Sequence, residues 1–427
     1  MPDLSESLLP SLKSHRLPGL DLADGFVYPH YEGQSVLNLP STLCRWLGTP
    51  PLGRLGVSPQ ILAPVGEGGV RRIVFILMDA LSLARLRLWM RRAAPVWRRL
   101  AEGGVLAPLT SITPSTTTAA LTSLWTGQSA AEHGVAGYEL WLKEYGVVAN
   151  MILHTPISFQ NDAGSLAKAG FQPASFLNGI TLGAHLSAHG VKAYAFQHHS
   201  IIRSGLSQMF FKEVTTQSFG SAADLWVNVR YLLEEQTGER LYVWVYWGEV
   251  DHLSHFYGPD NERAEAEFAA FSAAFERLFL SRLSPAARSE TLVVLTADHG
   301  QIHTRKDPRY DLRNHPAFTR LLHLLPTGEN RMAYLFVRPG QMDAVREYVE
   351  KTWPGEFALL EPLAAVQSGL FGPGAPHPRL LDRLGDLLVI AKGNAYWWWA
   401  DKDNPLLGRH GGLSAEEMVV PLLAARL

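Results

Sequence analysis

Three apolar runs, each followed closely by a carboxylate, constrain this chain more than any other feature. Ile73-Val74-Phe75-Ile76-Leu77-Met78 ends at Asp79, and Leu292-Val293-Val294-Leu295-Thr296-Ala297 ends at Asp298. Between them in the chain, Leu241-Tyr242-Val243-Trp244-Val245-Tyr246-Trp247 leads through Gly248-Glu249-Val250 to Asp251. Runs this apolar, rich in β-branched and aromatic residues, read as strands covered on both faces, as in a parallel sheet. Helical patterns fall between and around them, over residues 82–102, 115–125, 222–235 and 262–283. The alternation predicts an α/β fold with a doubly wound, mostly parallel sheet sandwiched by helices. In such sheets the strand-to-helix loops converge at the carboxyl ends of the strands, and ligands collect there. All three aspartates fall at those ends.

A lone Asp after a strand is usually a helix cap, but two of these are accompanied by histidines. In Asp251-His252-Leu253-Ser254-His255 a carboxylate and an imidazole stand four residues apart, which a helix turns to one face. Asp298-His299-Gly300 sets the same two groups side by side at a turn, where Gly allows close backbone approach. Arg409-His410-Gly411-Gly412 adds a histidine in a Gly-flanked loop. With Asp79 these make six oxygen or nitrogen ligands and no sulfur, a set suited to zinc, manganese or cobalt. Six are too many for one tetrahedral ion. They suit two ions with three protein ligands each and coordination positions left open, as catalytic metals keep them.

Ser111-Ile112-Thr113-Pro114-Ser115-Thr116-Thr117-Thr118 runs into a helical stretch through Trp125-Thr126-Gly127. Alone it reads either as a capped helix start or as a nucleophilic hydroxyl at a positive helix end. The local sequence leaves both open.

Taken together, these pieces resemble the alkaline phosphatase superfamily, nearest its type I phosphodiesterase/nucleotide pyrophosphatase branch. The resemblance rests on Ile76 to Asp79, Thr113 through Gly127, Glu132-His133-Gly134-Val135, Asp251 through Gly258-Pro259, Thr296 through Gly300, and His410-Gly411-Gly412, in the family's order. It implies that Asp251, His255 and His410 hold one divalent ion, while Asp79, Asp298 and His299 hold the other together with the nucleophile. Ungapped alignment from Pro114 to Thr126-Gly127 makes Thr117 that nucleophile. Zinc is the first expectation for both ions and manganese the second. The implied activity is phosphodiester hydrolysis through a phospho-threonine. Phosphomonoesterase, phosphonate hydrolase and phosphomutase activities use the same metal core and stay open, and a non-catalytic metal-binding scaffold is the rival from another class.

In that branch an Asn downstream of the nucleophile binds a phosphoryl oxygen. Here Tyr138 stands at its place, and Lys143 or Asn150 could carry the role instead. No Arg occurs between Thr113 and Val148, which favours a diester over a monoester dianion. Leu140, Trp141 and Leu142 are the expected apolar wall for the second substituent.

Of the 427 residues 47% are hydrophobic and 18% charged, a globular balance, with room for a large core. Lys+Arg 38 against Asp+Glu 40 gives no basic field for nucleic acid, and the resemblance implies a small phosphate ester as the partner. The single Cys44 excludes an internal disulfide and a cysteine metal cluster. No signal peptide or membrane-spanning run is apparent, and a cytoplasmic location is expected. Residues 1–70 are expected to wrap a catalytic domain spanning 71–427, with insertions at about 140–238 and 304–400. The aromatic run Tyr396-Trp397-Trp398-Trp399 is expected to serve packing rather than base stacking.

Overall fold

The structure, a computed structural model, describes residues 3–22, 24–66, 68–158 and 162–427. Met1 and Pro2, where the absence of a signal peptide was in part to be judged, lie outside the described residues. Seven strands form the central sheet: β1 (Arg72–Met78), β2 (Val105–Thr110), β3 (Lys192–His198), β4 (Val214–Phe219), β5 (Leu241–Trp247), β6 (Thr291–Thr296) and β7 (Val419–Arg426). They lie in the order β2-β7-β6-β1-β5-β3-β4. β7 pairs antiparallel with β2 and β6, and the remaining pairs are parallel.

The three apolar runs are the adjacent strands β6, β1 and β5. Every residue of β1 and β6 is buried, so no polar alternation could appear in their sequences. Each fully buried aliphatic or aromatic side chain there contributes roughly 1.5–3 kcal/mol of transfer free energy. The register pairs Met78 with Trp247 and Leu77 with Thr296. Asp79, Asp298 and the turn at Gly248 therefore emerge together at one edge of the sheet.

Helix α1 (Thr117–Thr126) ends at Gly127, whose φ of 66° suits a residue without Cβ. Helix α2 (Glu249–Tyr257) follows β5. The stretch expected as one helix over 82–102 is two, Leu83–Arg92 and Pro95–Glu102. Pro95 cannot continue the first but fits the opening turn of the second.

A second seven-stranded sheet is antiparallel throughout its pairings. Glu139–Leu142, Val147–Asn150 and Thr155–Pro156 come from one interval of the chain. Thr327–Glu329, Met332–Leu335, Phe357–Leu360 and Leu387–Ala391 come from another, and Gly328 pairs with Glu139 across the join. The interval 140–238, expected as one insertion, thus divides, because β3 and β4 belong to the central sheet. Both strands lie toward that sheet's edge and carry polar residues, as in Val214-Thr215-Thr216-Gln217-Ser218, so neither shows a continuous apolar run.

Residues 3–70 do more than wrap. Leu12, Val36, Leu39, Leu43 and Trp46 share the main core, and Val27 N–H donates to Leu413 O at 2.8 Å. Trp397 packs against Trp353 and Phe357 in a smaller core, while Trp398 and Trp399 reach the cavity described below. Among the described residues no helix is long and apolar enough to cross a membrane.

Candidate active site

The six acid and imidazole residues expected as ligands are drawn to one end of the central sheet. After β1 the chain turns through Ala80 with φ 61°, a left-handed conformation that points its N–H at Asp298 Oδ1, 3.3 Å away. That backbone costs a non-glycine residue roughly 1–2 kcal/mol. After β6, Gly300 passes so close to its neighbours that a Cβ would meet Glu416 O at 2.0 Å. The short pairing of Ile302 with Arg409 then carries His410 alongside the Asp298-His299 turn. α2 presents Asp251 and His255 on one face, with His255 Nε2 3.3 Å from Asp251 Oδ2.

Each histidine is oriented by a backbone carbonyl. His255 Nδ1 lies 2.9 Å from Gly408 O, His299 Nδ1 3.0 Å from Gly300 O, and His410 Nδ1 3.1 Å from Ser115 O. A carbonyl can only accept, so each Nδ1 carries a proton, and a ring in its neutral form keeps its Nε2 lone pair for something else. His299 Nε2 faces Asp79 Oδ1 at 3.4 Å and Asp298 Oδ2 at 3.6 Å. Both oxygens are buried and neither has a hydrogen-bond partner. Electron-rich atoms converging in this way repel one another, and a cation among them satisfies all of them at once. Asp79, Asp298 and His299 offer atoms within 4.8 Å of one another, and so do Asp251, His299 and His410. The grouping differs from the expected one in that His299 serves both sets, while His255 pairs with Asp251.

The electrostatics agree. Burial, then repulsion from Asp298 and Asp251, holds the Asp79 carboxyl well above the usual range. Burial likewise raises Asp298. Asp251 is half-buried, and the adjacent His255, when protonated, holds it below the ordinary value. Burial pushes His410 well down.

The hydroxyl cluster does not cap its helix. Thr116 occupies the cap position of α1 without a capping hydrogen bond. Ser115 Oγ donates to Gly412 O at 2.7 Å, and Thr118 Oγ1 to Gly137 O at 2.9 Å. Thr117 is different, with its Oγ1 3.1 Å from His299 Nε2 at the start of α1. It borders a cavity of about 450 Å³.

Tyr138, Glu329, Phe256, Trp398 and Trp399 also line that cavity, as does Asn150. Asn150 Nδ2 donates to the Tyr138 hydroxyl at 2.6 Å, so the phenol proton remains free to donate elsewhere. Lys143 lies outside, on the surface, ion-paired with Asp382 at 3.0 Å. Leu140 and Leu142 are buried in their strand and, like Trp141, do not line the cavity. Ile152, Leu153, Ile157 and Leu406 supply its apolar wall instead.

Sequence reasoning missed three neighbours of these groups. The Tyr246 hydroxyl donates to Asp79 Oδ2, and Gln301 Nε2 donates to Asp251 O at 3.2 Å. Gln301 directly follows the Asp298-His299-Gly300 motif, which was an available signal, whereas Tyr246 sits unmarked within an apolar strand. Glu329 accepts from Tyr138 N–H at 2.8 Å, and the nearby Thr116 hydroxyl favours its charged form. Burial raises its pKa to about 8 from 4.5. The folded state therefore holds a proton there that the unfolded chain has released, and stability is lost as pH rises from 4.5 through 8. Glu329→Gln, which mimics the protonated acid, should match the wild type at pH 4. At pH 9 it should be more stable by roughly 1–3 kcal/mol in metal-free denaturant melts.

Residues 73–413 match the family described as type I phosphodiesterase / nucleotide pyrophosphatase. Among solved structures the chain is similar to murine ectonucleotide pyrophosphatase / phosphodiesterase 5, at 16% identity and TM-score 0.59, covering 83% of this chain and 87% of that one. It is similar to an inactive threonine-to-alanine variant of that protein in complex with AMP, at 16% and 0.61, covering 83% and 88%. It is similar also to phosphonoacetate hydrolase from Sinorhizobium meliloti in complex with phosphonoformate, at 17% and 0.60, covering 84% and 90%. At such identities the likeness is one of fold. No curated protein matches in sequence.

Proposed function

The chain belongs to the type I phosphodiesterase/nucleotide pyrophosphatase family, a family of metal-dependent phosphoester hydrolases, and on that premise we propose that it cleaves phosphodiesters through a covalent intermediate on Thr117. The observation that carries this reading is the approach of the Thr117 hydroxyl to His299 at 3.1 Å, beside the orphaned oxygens of Asp79 and Asp298. Asp79, Asp298 and His299, with Thr117, would hold one divalent ion. Asp251, His255 and His410 would hold the other, and the oxygen and nitrogen donors suit zinc first and manganese second. Bound there, the ions lower the pKa of a hydroxyl and neutralise charge on the phosphoryl oxygens.

Thr117 Oγ1, its proton released to solvent, attacks phosphorus in line with the departing ester oxygen. The amide groups at the start of α1 and the phenol of Tyr138 would donate to phosphoryl oxygens. Water then displaces Thr117 and restores its hydroxyl. That the related murine structure is described as inactive with threonine changed to alanine is consistent with this role.

A diester is favoured because apolar and aromatic side chains such as Ile152, Leu153, Phe256, Trp398 and Trp399 line the cavity beyond Thr117, with Lys402 the one Lys or Arg among the described lining residues. A monoester dianion asks for more positive charge. Loaded with zinc or manganese, the protein should turn over bis-nitrophenyl phosphate with a kcat/KM roughly tenfold or more above that for nitrophenyl phosphate. The reverse preference would replace this reading with a phosphomonoesterase. Tyr138→Phe should lower diester kcat by roughly tenfold or more, since one donor to the developing charge is removed. An unchanged kcat would pass the role to Asn150.

A further inference from the structure

Arg331 and Glu417 form an ion pair in which both side chains are fully buried. Arg331 Nε and Nη2 donate to the two Glu417 oxygens at 2.7 and 3.0 Å. The same oxygens accept from the backbone N–H groups of Gly412, at 2.8 Å, and Ser414, at 3.1 Å. Glu417 therefore grips the loop that carries His410, two residues before Gly412. Space there is already exhausted, since a Cβ on Gly412 would meet Glu417 Oε2 at 2.8 Å and one on Gly411 would meet Glu329 Cβ at 2.5 Å. Arg331 faces the other way as well. It donates to Ala395 O, and its neighbour Asn330 accepts from Trp397 N–H at 2.8 Å, next to the cavity-lining Trp398 and Trp399.

Stability alone does not account for a charged pair at this place. Removing two charges from water is costly, and well-packed apolar residues of similar volume usually do as well or better. What apolar residues cannot do is accept the Gly412 and Ser414 N–H groups while fixing a rigid fork between two elements.

We propose that Arg331 and Glu417 are positioning residues: a buried latch that joins the second sheet's substrate wall to the His410 loop and holds His410 in place for its divalent ion. The latch rests on the reading of His410 as a metal ligand, and its test separates the two. Zinc is titrated into metal-free protein against a chromophoric chelator, with thermal melts alongside, for the wild type, the double variant Arg331→Met/Glu417→Met, Glu417→Gln and His410→Ala. The double variant should melt within a few degrees of the wild type yet bind one of its two zinc ions about 10–100-fold more weakly. Its kcat should recover in excess zinc. A double variant with both zinc affinities unchanged overturns the latch, and if it fails to fold, unchanged affinities in Glu417→Gln do the same. His410→Ala locates the fault. If it weakens one zinc while the latch variants do not, the latch alone fails, and if it too leaves both affinities unchanged, the ligand reading fails with it.

Discussion

Thr117→Ala is expected to lose about 10³-fold or more of kcat on a phosphodiester, with little change in melting temperature. The hydroxyls nearest Thr117 are not placed to substitute. Ser115 serves Gly412 and Gly411, Thr118 serves Gly137, and Thr116 lies beside Glu329. Thr117→Ser should restore a measurable fraction of turnover by returning an oxygen to the same place. Thr116→Ala, by contrast, should retain most activity, since the Thr116 side chain makes no capping bond to the helix that carries Thr117. Comparable losses at Thr116 and Thr117 would mean that the segment acts through its fold and not through one nucleophile.

Removal of the divalent ions should abolish turnover, by about 10³-fold or more. It should also change how stability depends on pH. Asp79 and Asp298 are raised by burial, Asp79 also by repulsion from the neighbouring carboxylates. A raised carboxyl keeps its proton in the folded state after the unfolded chain has lost it, so stability declines as pH climbs above about 3.8 toward the raised values. Asp251 is depressed and works in the opposite sense, but its contribution is lost only as pH falls below 3.8, outside the neutral range. Across pH 5 to 8 the Asp79 and Asp298 carboxyls should therefore lower the stability of the metal-free protein. His133, His154 and His410 set an opposite trend, because their buried rings stay neutral in the folded state while the unfolded chain takes up their protons. Bound zinc should remove the carboxyl part by pairing the charges. Asp298→Asn isolates the cause. It should weaken zinc binding by about 10²-fold or more and yet stabilise the metal-free protein at pH 8. Chemical denaturation at the two pH values, with and without zinc, measures both effects.

The parts of this fold that could be read from sequence are those where burial leaves a one-dimensional trace. β1, β5 and β6 are covered on both faces, so their sequences are unbroken apolar runs, and the following aspartates fall at one sheet edge because parallel strands end together. β3 and β4 left no such trace, since their exposed positions hold Lys, Thr and Ser. The pairing of Gly328 with Glu139, which unites two distant intervals in one sheet, depends on a separation of 189 residues that no local pattern encodes. At the site, the predicted ligands carry their own chemistry and were legible as residue types. Glu329, Tyr246 and the Arg331–Glu417 pair were not, because what singles them out is burial beside those ligands. The hydroxyl cluster, which locally read either as a cap or as a nucleophile, does not cap its helix for a related reason: distant carbonyls such as those of Gly412 and Gly137 take its hydroxyls instead.

The most direct test of a two-step reaction through Thr117 is its stereochemistry. A phosphodiester made chiral at phosphorus by isotopic or sulfur substitution would be hydrolysed in isotopically labelled water, and the configuration of the product read by phosphorus magnetic resonance. Each in-line displacement inverts phosphorus, so attack by Thr117 followed by attack by water predicts net retention. Net inversion would mean that water attacks the substrate directly, and would contradict the covalent intermediate.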